Sequence, residues 1–166
     1  MTSVEKAKTR RPRWATAWQA AGIVLAAPFG AGAVSLWWKL AHLPSMAGHL
    51  ARAQILGAAL FSFGVALGLI GATFTLTAVA AHRRVLCMAL TLFGLSNVIF
   101  GLYVRHAIEA TATNSEPPVL PLLIPVALWA YSVVLAFRAP KLAAAQKAKA
   151  AEQEIREEQP QLLSRP

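Results

Sequence analysis

His42, His49, His106 and Glu109 are the residues of this chain best suited to chemistry. Imidazole and carboxylate groups together suit zinc or copper. The spacing does not support such a site. No two of the histidines stand three or four residues apart, the interval that puts two side chains on one helix face. A solvated interfacial role is expected for them, with no metal and no other cofactor. Haem held between helices would need axial histidines inside the apolar stretches of the chain, and all four histidines, His82 included, lie outside those stretches.

Asn97, Tyr103, Arg105 and His106 form a second polar set, which could wall an outward-facing pocket. Asn97 alone of these lies in the middle of an apolar stretch, on a helix face shared with Gly94 and Gly101. A carboxamide in lipid seeks a partner, and helix packing is its expected role. Ser62, Thr73, Thr75, Thr77, Thr91 and Ser96 are expected to bond back to carbonyls of their own helices. The single cysteine, Cys87, permits neither an intrachain disulfide nor a Cys-x-x-Cys redox pair. The chain has no Asp, and its apolar stretches hold no Glu, Lys or Arg, so ion-coupled transport lacks its usual ionisable group. Paired carboxylates, a Ser-His-Asp set and a phosphate-binding glycine loop are missing as well. A self-sufficient enzyme is not expected.

The elements that would position these residues dominate the sequence. Residues 14–38, 54–81, 85–104 and 119–137 are four uncharged apolar stretches in a 166-residue chain that is 57% hydrophobic. About 20 helical residues span a hydrocarbon core of about 30 Å. Backbone groups in lipid must pair internally, which favours helices, and continuous apolar runs are unlike the alternation of a β-barrel. The expected fold is an all-α integral membrane protein with four transmembrane helices in an up-down bundle. A basic N-terminus (1–13) precedes the membrane domain (14–139), and a charged tail (140–166) follows it. Trp14, Trp18, Trp37 and Trp38 bracket the first span as interfacial belts. Pro28 and Pro125 are expected to bend their helices. Residues 40–53 read as a short amphipathic helix on the outer surface, with Pro44 in its first turn. The tail, rich in Ala, Lys, Gln and Glu, reads as a helix that starts beyond Pro140 and frays without a partner.

Charge fixes an expected orientation. The net charge is +9. Lys6, Lys8, Arg10, Arg11 and Arg13 precede the first span, Arg83 and Arg84 join the second to the third, and Arg138, Lys141, Lys147, Lys149, Arg156 and Arg165 follow the fourth. Of the 16 basic residues only Lys39, Arg52 and Arg105 fall on the other side. Positive loops stay cytoplasmic, so both termini are expected inside, in a bacterial inner membrane. Arg10, Arg11, Arg13, Arg83, Arg84, Arg138 and Lys141 then act as topology signals that attract anionic headgroups. Nucleic acid is not an expected partner.

Small residues give the remaining signal. Gly22, Ala26 and Gly30 make a small-x3-small ridge in the first span, and Gly64, Gly68 and Ala72 make one in the second. Such ridges let helix backbones approach closely. The second and third spans also match at an offset of 30, in Leu56/Leu86, Ala59/Ala89, Leu60/Leu90, Phe63/Phe93, Gly64/Gly94 and Gly71/Gly101. The leading functional expectation is a non-catalytic accessory subunit or assembly factor of a larger membrane complex. Its partners would be the lipid bilayer and either other membrane subunits or copies of itself. A small oligomeric transporter or channel is the alternative, and a lipid- or quinone-modifying enzyme is third. Ala31-Gly32-Ala33 resembles a signal cleavage site, but the apolar run continues to Trp38, as in an uncleaved anchor. Intact mass of the purified protein should therefore retain residues 1–33; their loss would leave three spans.

Overall fold

The computed structural model describes the backbone of residues 13–44, 48–113 and 115–163, with side chains as far as residue 153. Among the described residues the structure is helical and contains no strand. Helix α1 is Arg13–Ala41, α2 is His49–Thr77 and α3 is Ala81–Ala112. A 3-10 turn, Leu120–Leu122, leads into α4, Leu123–Leu163. Four helices are thus long and apolar enough to cross a bilayer. At 1.5 Å per residue, 29 residues in α1 or α2 reach about 44 Å, beyond the hydrocarbon core at both ends.

Among the described residues each helix packs only on its neighbours in sequence: α1 on α2, α2 on α3, α3 on α4. Their registers run antiparallel. Gln19 near the start of α1 meets Thr77 at the end of α2, and His82 at the start of α3 meets Gln146 in the distal half of α4. Because α1 and α4 do not touch, the helices stand in an open row, whereas a bundle closed on itself would bring them together.

Burial is inverted relative to a water-soluble protein. The buried side chains are small ones such as Ala15, Ala26, Ala33, Ala59, Ala89 and Ser96, and Leu135 is the largest hydrophobic residue among them. Trp14, Trp18, Trp38, Val24, Leu76 and Phe137 are exposed. In lipid a large apolar side chain gains little by leaving the solvent, so it stays outside while small residues admit neighbouring backbones.

Several boundaries differ from the sequence reading. The separate amphipathic helix over 40–53 is not formed as one piece. Leu40 and Ala41 complete α1, and His49–Ala53 open α2, so the flanking helices absorb its ends. Residues 45–47 lie outside the described residues. Arg52 donates to the Pro44 carbonyl at 3.2 Å and ties the loop to α2. The turn between α2 and α3 falls at 78–80 rather than at His82-Arg83-Arg84, which form the first turn of α3. There Arg84 donates from Nη2 to the Ala78 carbonyl at 3.0 Å, capping the end of α2. Pro125 lies in the first turn of α4, where its missing N–H has no helical partner to lose, so the expected bend has no cause. Finally, α4 runs unbroken through Pro140, and the tail continues the fourth span instead of starting a new helix.

Candidate functional site

Between α2 and α3 backbone approaches backbone directly. Gly57, Gly64 and Gly71 stand seven residues apart on α2, and Cys87, Gly94 and Gly101 repeat that spacing on α3. In the antiparallel pair these six residues face one another as Gly57 with Gly101, Gly64 with Gly94, and Gly71 with Cys87. A Cβ built on Gly64 would stand 2.5 Å from the Gly94 carbonyl oxygen, and one on Gly101 would stand 2.7 Å from that of Gly57. On Gly71 it would be 2.9 Å from the Cys87 carbonyl oxygen. Real side-chain atoms do not approach backbone so closely, so glycine is required at Gly64, Gly71, Gly94 and Gly101. The seven-residue period is that of shallow, left-handed helix crossing.

A second stripe lies two residues on along each middle helix. On α2 it is Ala59, Ala66 and Thr73; on α3 it is Ala89, Ser96 and Ala110. At 100° per residue, two residues turn the helix by about 200°, nearly to its opposite face. Gly22 of α1 packs against Thr73, and Gln19 donates to the Thr77 hydroxyl at 2.8 Å. Ser96 donates to the Pro125 carbonyl of α4 at 2.7 Å. Opposed stripes place opposed neighbours, which is why the helices form a row.

Only some of the expected ridges are met. In α1, Gly22 and Ala26 are buried, but Gly30 opens on empty space and Ala33 completes the stripe instead. In α2, Gly64 and Gly68 both lie against Gly94, where a Cβ would collide with the Gly68 backbone; a side chain on Gly68 itself would point into open space, and Ala72 is only half-buried. Gly94 and Gly101 both lie on the seam. Asn97 packs its Cβ against Gly64, but its amide donates to Phe93 of its own helix at 2.7 Å. Thr73, Thr75, Thr77 and Thr91 bond back to their own helices as expected. Ser96 departs from that pattern because the Pro125 carbonyl is the partner it reaches. Gly57, Gly71 and Cys87 escape a search for four-residue spacing; a seven-residue search finds them.

Arg13, Arg83, Arg84, Arg138 and Lys141 are exposed, at the end of the row where α1 begins and α2 gives way to α3. Arg10 and Arg11 lie outside the described residues. At the opposite end His42 stacks on Trp38 with ring centroids 4.0 Å apart, and Arg105 pairs with Glu109 at 3.0 Å. Among the described residues, no three of His, Cys, Asp and Glu gather as metal ligands would. A cleft of about 520 Å³ opens at this end between α2 and α3, with Gly57 and Gly101 in its lining and Arg105 and Glu109 among its polar groups. Asn97, Tyr103 and His106 do not line it.

Comparison with protein-family profiles, with curated proteins and with solved structures returned no match. The seam alone therefore defines the candidate site. Gly64→Ala should destabilise the chain in detergent by about 1–3 kcal/mol, since overpacking must push the two backbones apart. Gly68→Ala, four residues away, has open space for its methyl and should leave stability unchanged or raise it by up to about 1 kcal/mol. Denaturant titration followed by helicity measures both, and equal effects would contradict the seam.

Proposed function

We propose that this chain is a non-catalytic accessory subunit or assembly factor of a larger membrane protein complex, acting through helix packing. The observation that carries the proposal is the open row. α1 and α4 have one helical neighbour each, and their remaining faces carry exposed apolar side chains, including Leu25 and Val34 on α1 and Trp129 and Val134 on α4. Such edges accept further helices without disturbing the existing seams. The cationic end of the row is assigned to the cytoplasm of a bacterial cell by the positive-inside rule, with both chain termini there. With 41 residues, α4 is about 60 Å long, twice the hydrocarbon core, so its distal half reaches into the aqueous phase. That extension would meet a soluble or peripheral subunit.

An oligomeric transporter or channel is the second reading, favoured by the cleft beside Arg105. The seam closes this cleft from below, because Gly64–Gly94 and Gly71–Cys87 leave no passage between α2 and α3. A pore would have to form between copies of the chain. Affinity purification from membranes in mild detergents should recover defined partner subunits in stoichiometric amount. Recovery of a lone monomer in several detergents would count against the accessory role, and solute flux from the purified chain in liposomes would favour the second reading.

A further inference from the structure

The cleft at the Arg105 end opens beside the seam at Gly57 and Gly101. Gly57 and Gly101 bring the α2 and α3 backbones together, with the Val104 side chain against Gly57 and Phe61 against Gly101. Its volume of about 520 Å³ is within the range of small-ligand sites. Its polarity is graded. Gln54, Arg105 and Glu109 stand where the apolar stretches end, and Phe61 lies seven residues, or about 10 Å, further into the span than Gln54. Leu102 and Val104 line it as well. A cavity mostly apolar at depth, with Ser62 its polar side chain there, and charged at the membrane boundary fits an amphiphile.

The charges narrow the choice. Arg105 uses Nε to reach Glu109, and its planar guanidinium has two further nitrogens able to donate to a phosphate. Glu109 offers a carboxylate to a cation and repels a second anion. Both side chains are well exposed, at 78% and 59%, so a headgroup can reach them. We propose that this cleft binds one zwitterionic phospholipid, with its phosphate on Arg105, its ammonium on Glu109 and an acyl chain against Ala58 and Phe61. The proposal rests on the helices crossing a bilayer, and it is independent of the accessory role.

The test is native mass spectrometry of the purified full-length chain, titrated with phosphatidylethanolamine or phosphatidylglycerol. The wild-type chain should retain phosphatidylethanolamine about tenfold more strongly, the weight of one charge-assisted contact. Ala58 lines the cleft but lies exposed beside the seam, so Ala58→Trp should block the lipid and reduce retention to background. Arg105→Gln should weaken binding of both lipids, and Glu109→Gln should erase the preference between them. These two exposed positions decide the matter if Ala58→Trp fails to fold, as judged by its melting midpoint. Equal retention of the two lipids by the wild type, or unchanged retention by folded Ala58→Trp or by Arg105→Gln, would overturn the proposal. Release of the chain from membranes by alkaline carbonate would instead overturn the membrane reading beneath it.

Discussion

Everything in this structure depends on how closely two helices can approach without side chains between them. The α2–α3 contact puts backbone against backbone at three levels, and a Cβ at Gly64, Gly71, Gly94 or Gly101 would collide with the opposite chain. In lipid there is no water to drive apolar surfaces together, so close packing and weak polar contacts must supply the association. The small-residue stripes maximise the first. The Ser96–Pro125 and Gln19–Thr77 bonds add the second on the other two interfaces.

The angle between stripes then sets the architecture. Had the two stripes on α2 and α3 stood about 100° apart, the chain would turn a corner at each helix and close into a bundle. They stand about 200° apart, and the helices line up instead. One consequence is that the molecule has two free edges. Another is that the cleft and the cationic end fall at opposite ends of the same row.

The existence and order of the four helices were legible in the sequence, because length, apolarity and missing charge are properties of whole segments. Boundaries were less legible. Arg83 and Arg84 read as a loop but form the first turn of α3, since an arginine can remain helical while its side chain reaches back to cap α2. The offset-30 similarity held the architecture in plain view. Gly64/Gly94 and Gly71/Gly101 mark the seam, and Ala59/Ala89 mark the opposite stripe. Gly57/Cys87 and Ala66/Ser96 complete the two patterns by size rather than identity, and a search for identical residues passes over them. The cleft could not be read beforehand. It arises where Gly57 and Gly101 meet, and that pairing depends on the antiparallel register.

The central claim is the open row, and one distance tests it. Spin labels at Val24 on α1 and Phe137 on α4, both exposed and at similar depth, would report the separation of the two edges in a bilayer, with Cys87→Ala as background. Helices packed 8–10 Å apart in a row place α1 and α4 three spacings from each other, or about 24–30 Å. A separation near a single spacing, about 10 Å, would mean that α1 and α4 close a bundle, and would contradict the account.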